Sequence, residues 1–152
     1  MAKKKSKLLD FNIMDDVLDL QFEIFGIFNN VPKKYKNNIM QEIHENIHYA
    51  KLFLAKCLNM PQYSKTHVTY KRDMLVESFA HIKLIESDFY QLNRLGAVSN
   101  ETITGLTLKF YDLKKNYDSF TSYFNRRLKK MKDVDEFEQV EEFENFEQNL
   151  EF

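Results

Sequence analysis

Apolar residues recur at helical spacing in four long segments of this chain. The first segment, 8–28, carries two apolar stripes. Ile13, Val17, Leu20, Ile24 and Phe28 form one; Phe11, Met14, Leu18, Phe22 and Phe25 form the other. Only a narrow face with Asp15, Asp19 and Glu23 is polar. A bundle helix needs a single apolar stripe to reach its core. The second stripe therefore predicts either contact with a second chain or coverage by the protein's own bundle and tail.

Asn29-Asn30-Val31-Pro32 breaks the chain, since a residue before proline is held out of helical geometry. The spacing predicts a second helix over 34–58, with Ile39, Ile43, Ile47, Ala50, Leu54 and Cys57 or Leu58 inward. Asn59-Met60-Pro61-Gln62 ends it. A third helix follows over 66–95, with Val68, Leu75, Ile82, Ile85, Phe89 and Leu92 on one seam and Gly96 as its left-handed cap. Ser99 is the expected N-cap of a fourth helix over 100–132, with Glu101 in its first turn. Its seam is Ile103, Leu106, Phe110, Leu113, Tyr117, Phe120, Phe124 and Met131, interrupted by Arg127. Four long amphipathic helices joined by short links predict an all-α, antiparallel four-helix bundle spanning 1–132. No internal repeat or linker divides it, and residues 133–152 are an appended tail.

Composition agrees with this reading. The chain has 152 residues with only three Gly and two Pro, too few for a turn-rich β fold. Cys57 is the single cysteine, so no intrachain disulfide forms, which fits a reducing cytoplasm. The basic start Met1-Ala2-Lys3-Lys4-Lys5 is not followed by a signal-type apolar run, because Asp10, Asp15, Asp16 and Asp19 interrupt it. No stretch has transmembrane length, so no membrane partner is expected.

Charge changes the picture more. The formal net charge is −1, yet all 22 Lys and Arg lie in residues 1–132 with 14 of the 23 Asp and Glu, leaving that body at +8. Residues 133–152 hold nine acids and no base. A basic body points to a polyanionic partner, and an oppositely charged tail to something that covers or regulates its surface. Val134, Phe137, Val140, Phe143 and Phe146 recur at every third residue of the tail. The segment reads as a docking helix for a basic surface or as a disordered, solvating acidic tail.

The positive charge is clustered. Lys109, Lys114, Lys115, Arg126, Arg127, Lys129, Lys130 and Lys132 stand against Asp112 and Asp118 on the fourth helix. Lys33, Lys34 and Lys36 form a second group, Lys71 and Arg72 a third. Such clusters bind phosphates by releasing counterions, without reading sequence. A solvated Lys-rich face explains the same residues without a partner.

Four catalytic or metal readings compete with this one. His44-Glu45-Asn46-Ile47-His48 matches H-E-x-x-H, whose histidines share a helical face and hold zinc while the glutamate acts as base. A third ligand and a substrate-binding strand are missing from the sequence pattern, and three specified positions match by chance often. Glu45 and His48 have the spacing of half a di-iron site, but Glu77 and His81 are four apart rather than three. His44, His48 and His81 are conceivable as a three-histidine site, without evident supporting partners. Helical-bundle nucleases of the HEPN type place a histidine a few residues after an arginine, whereas His81 stands nine after Arg72. No nucleophile–base pair and no Gly-rich phosphate loop is evident, so no enzymatic activity, metal or cofactor is expected.

The order of features resembles a known family over about residues 10–127. Val31-Pro32-Lys33-Lys34-Tyr35, a helix closing on Ile47-His48-Tyr49-Ala50-Lys51, a long helix with an aliphatic seam, then Leu95-Gly96-Ala97-Val98-Ser99 and a final helix are similar to the four-helix-bundle family of ribosomal-RNA intervening-sequence proteins. That family includes Avd, the accessory variability determinant of diversity-generating retroelements. Pro32-Lys33 matches its Pro-Lys, whereas Ser122-Tyr123-Phe124 stands where the family often has Gly-Gly-Trp. The resemblance implies a non-enzymatic protein assembling as a pentameric ring. It also implies binding to RNA or single-stranded DNA and to reverse transcriptase in support of mutagenic cDNA synthesis. The intervening-sequence branch implies instead a structural or interaction bundle with no nucleic-acid role.

Overall fold

In a computed structural model, residues 2–131 are described, with side chains from Ile13 onward. They form four α-helices and one short 3₁₀ turn, with no strand among the described residues. The helices are α1 (Ala2–Phe28), α2 (Ile39–Asn59), α3 (Lys65–Arg94) and α4 (Asn100–Lys130). α1 packs on α2 and α4, and α3 packs on α2 and α4, so the helices enclose one core. The acidic tail and Lys132 lie outside the described residues.

The expected seams converge. Ile13, Val17, Leu20 and Ile24 of α1 are fully buried, as are Ile43, Ala50, Leu54 and Cys57 of α2. Leu75, Ile85 and Leu92 of α3 meet Leu106, Leu113, Phe120 and Phe124 of α4 in the same cluster. Each buried aliphatic or aromatic side chain contributes about 1.5–3 kcal/mol relative to exposure. The ends of the seams are looser: Phe28, Ile39, Leu58, Ile103 and Met131 are only partly buried.

Element ends follow local chemistry. The second helix begins at Ile39, later than the expected 34. Pro32 starts a 3₁₀ turn over Lys33–Tyr35, with Tyr35 N donating to the Pro32 carbonyl at 3.0 Å. Asn38 then caps α2 through its side chain. Ser64, a cap the apolar pattern does not mark, accepts from His67 N at the start of α3. Gly96 has φ +74°, and Ala97 N donates to the Leu92 carbonyl at 2.9 Å, closing α3 with the expected left-handed turn. Ser99 caps α4 by accepting from Thr102 N.

Ser78 and Tyr117 form a polar pair within the apolar seams. Ser78 Oγ lies 2.7 Å from both the Ala50 carbonyl and the Tyr117 hydroxyl, all buried. A carbonyl only accepts, so the serine donates to Ala50 and Tyr117 donates to the serine. Burial raises the Tyr117 pKa and keeps the phenol neutral. Ser78→Ala strands the Tyr117 hydroxyl, at a cost of about 1–3 kcal/mol. Tyr117→Phe leaves Ser78 bonded to Ala50, at about 1 kcal/mol. Urea unfolding of both variants checks this order: the serine variant is expected to be the less stable.

Candidate nucleic-acid interface

The basic residues fall into three places. Lys33 and Lys34 are exposed in the 3₁₀ turn between α1 and α2, and the Lys36 ammonium lies 4.9 Å from the Phe28 ring centroid. At the opposite end of α2, about 30 Å away by helical rise, Arg126, Lys129 and Lys130 are exposed on the last turns of α4. Arg72 of α3 joins them, its Nη1 donating to Asn125 Oδ1 at 3.3 Å. Lys109, Lys114 and Lys115 occupy the middle of α4. Lys109 pairs with Glu23 at 2.6 Å and Lys114 with Asp118 at 3.5 Å, while the Lys115 ammonium sits 5.5 Å from the Tyr111 ring centroid.

Lys71 does not belong to the surface. It is 2% exposed, and its Nζ donates to the Met60 carbonyl at 2.6 Å. Its position explains this: Lys71 is three after Val68 and four before Leu75, hence on the buried seam of α3 rather than beside Arg72. Arg127 is half committed in the same way, donating from Nη2 to the Gln62 carbonyl at 3.1 Å. The two cations hold carbonyls on either side of Pro61. That placement satisfies polar groups just past the negative end of α2 and accounts for the arginine interrupting the α4 seam.

Lys65, absent from the expected set, lines a groove with Thr69, Arg72, Asn125 and Lys129. Sequence offered only its place seven residues before Arg72, which puts both on one face of α3. The groove itself needs α4 beside α3. Arg72 also pairs with Asp73 at 3.5 Å, and its guanidinium and the two lysines give the groove donors of the types that bind phosphate oxygens.

The histidines are arranged otherwise. His44 packs between Phe25 and Phe28, with ring centroids 5.5 and 5.0 Å away, and burial pushes its pKa down. His81 Nδ1 lies 2.8 Å from Asn46 Oδ1, and its ring stacks on Tyr49 and Phe53. His48 is exposed beside Tyr49. Among the described residues no three His, Cys, Asp or Glu side chains gather as a metal site. The tilt of His44 toward aromatic rings and of His81 toward an amide leaves the three-histidine reading without a shared centre.

One carboxylate is perturbed. Burial, followed by the charge of Glu42, pushes Asp88 up to about 6. Glu42 stands in the first turn of α2, where the helix dipole favours its anion. The folded state thus binds the Asp88 proton more tightly than the unfolded chain does. The associated stability is fully present below the ordinary value of 3.8 and is lost as pH rises through about 6. Asp88→Asn is therefore expected to raise stability at pH 7.5, by up to roughly 1 kcal/mol for a partly exposed charge, read as a higher melting temperature. The advantage over the parent should shrink by pH 5. His44 opposes this trend in both proteins, so their difference isolates Asp88.

No described helix is long and apolar enough to cross a membrane. Comparison with protein-family models, with curated proteins and with solved structures finds no match to this chain.

Proposed function

We propose that the chain is a non-catalytic nucleic-acid-binding accessory protein of the Avd type, cytoplasmic, serving the reverse transcriptase of a diversity-generating retroelement. RNA or single-stranded DNA is held by phosphate contacts. The observation that carries the reading is the convergence of Arg72 with Asn125, Lys129 and Lys65 in one groove at the end of α3 and α4. Arg126 and Lys130 extend that surface, and Lys33, Lys34 and Lys36 supply a second phosphate contact at the other end. The order of sequence features shared with the Avd family supplies the reverse transcriptase and the retroelement.

Adjacent helices run antiparallel in this reading. Supporting pairs are Lys51 with Gln21, Asn116 with Asp16 and Lys109 with Glu23. The exposed α1 stripe, with Leu18 at 44%, Phe22 at 80% and Phe25 at 52% exposure, supports self-association as a ring, a pentamer by the family resemblance. The test is binding of a single-stranded RNA across a salt series. A Kd that weakens linearly on a log–log plot is expected; no binding at low salt, with or without residues 133–152, sinks the reading. The rival, a structural bundle of the intervening-sequence type, is favoured by the internal pairing of Lys109 and Lys114, which partly neutralises the middle of α4.

A further inference from the structure

The basic groove does not stop at Arg72. On α3, Lys65, Arg72, Phe79 and Lys83 follow one another at spacings that keep a single helical face. On α4, Lys129, Asn125, Lys114 and Tyr111 do the same. Phe79, Lys83, Tyr90, Thr107, Tyr111 and Lys114 line a second depression between the two helices. The Tyr90 and Thr107 hydroxyls meet across it at 3.2 Å, as Arg72 and Asn125 meet across the first. Both depressions lie in the furrow where α3 packs beside α4. The lining of the second depression is aromatic, with Phe79, Tyr90 and Tyr111, the last at 60% exposure. The rim of the furrow is mostly cationic; its acids are Glu86, Asp118, which pairs with Lys114, and Asp73, which pairs with Arg72 at 3.5 Å.

An aromatic lining with a cationic rim suits a polypeptide that carries both acids and apolar side chains. Residues 133–152 have that character: nine acids, no base, four Phe and one Leu. They follow directly on α4, which forms one wall of the furrow. Tyr111 lies 20 residues before Met131, about 30 Å along the helix, and the 21 residues after Met131 span about as much even when helical. We propose that this acidic segment docks along the α3–α4 furrow of its own chain, placing its Phe side chains over Phe79 and Tyr111 and its carboxylates against Lys83, Lys114, Arg72 and Lys129. Tethering raises its local concentration to the millimolar range. The exposed apolar face of α1 repels it, because Asp15, Asp19 and Glu23 flank Leu18, Phe22 and Phe25. Resting on the nucleic-acid reading above, the docked segment covers the phosphate-binding end of the furrow and is displaced by nucleic acid.

The test uses the full chain, in which Cys57 is buried and unreactive. Asn149→Cys is combined with Tyr111→Cys in one protein and with Phe22→Cys in another, and both are treated with a short bismaleimide. Intrachain cross-linking of the Tyr111 pair at low salt, reduced severalfold at 0.5 M salt and by Lys83→Glu with Lys114→Glu, is the expected result. Equal or faster cross-linking of the Phe22 pair overturns the proposal, as does no cross-link in either protein. A product found only between chains overturns docking in cis. RNA binding is then compared between the parent and a chain with Glu141, Glu142 and Glu144 changed to Gln. Tighter binding by the neutralised chain, by about tenfold at low salt, is expected. Equal binding overturns coverage of the phosphate surface. Cross-linking at Tyr111 with no RNA bound by either chain upholds the docking and removes the nucleic-acid reading.

Discussion

Reversing Arg72 and Lys129 to glutamate is expected to weaken single-stranded RNA binding by roughly ten- to a hundredfold at low salt and to lower the salt slope by about 2. The two residues stand on different helices but face one groove, so each removes a phosphate contact from the same tract. Neither is in the core, and the double variant should melt within about 0.5 kcal/mol of the parent. Lys71→Met is the internal control. It removes one formal charge of the same sign, one residue from Arg72, yet the ammonium is buried on the Met60 carbonyl. The salt slope should not change, while stability falls by about 1–3 kcal/mol through loss of a charge-assisted bond to a helix end. If Lys71→Met lowers the slope as much as Arg72→Glu does, net charge governs binding and the groove has no special role. Filter binding at four salt concentrations, with thermal melts of each protein, measures both quantities.

Changing Leu18 and Phe22 to glutamate is expected to convert the protein to a monomer of 18.3 kDa in light scattering. Phe22 is 80% and Leu18 44% exposed in the isolated chain, on the α1 face opposite the fully buried Ile13, Val17, Leu20 and Ile24. Large side chains at this density on one helical face favour burial by another surface. Asp15, Asp19 and Glu23 along the same helix oppose pairing of α1 with a second α1, since like charges would meet across a two-fold axis. A head-to-tail contact with a different face avoids this and closes into a ring. Phe25 is left in place because its ring stacks on His44, so its loss would disturb the fold as well as the contact. Monomer formation with an unchanged helical spectrum supports the ring. A parent protein that is itself monomeric at micromolar concentration overturns the reading of α1.

Much of the bundle was legible in the chain because helical burial leaves a periodic trace. Ile43, Ile47, Ala50 and Leu54 on α2, and Ile82, Ile85, Phe89 and Leu92 on α3, repeat every three or four residues, and each is buried. Gly96 and Ser99 were equally legible, since a left-handed turn and an N-cap each need a residue of restricted type. The start of α2 was not, because Lys34 through Asn38 suit a helix as well as the 3₁₀ turn that Pro32 begins. Lys71 was misplaced by residue type and Ser78 was not singled out: both sit on the α3 seam by spacing, but polarity argues for the surface. Only the partners that receive them, the Ala50 and Met60 carbonyls, make their burial affordable in free energy.

The phosphate-binding candidate divides along the same line. Sequence alone determined that the body is cationic, that α4 ends in a cluster of bases, and that α1 has more apolar surface than one core requires. These are properties of single helices, and a single helix writes them into its own spacing. Only the tertiary structure decided which cations act together. It set Arg72 beside Asn125 and Lys65 near Lys129, turned Lys71 and Arg127 toward the α2–α3 connection, and paired Lys109 with Glu23. These contacts join residues 11 to 86 positions apart, and the helical period of one segment carries no information about the register of its neighbour.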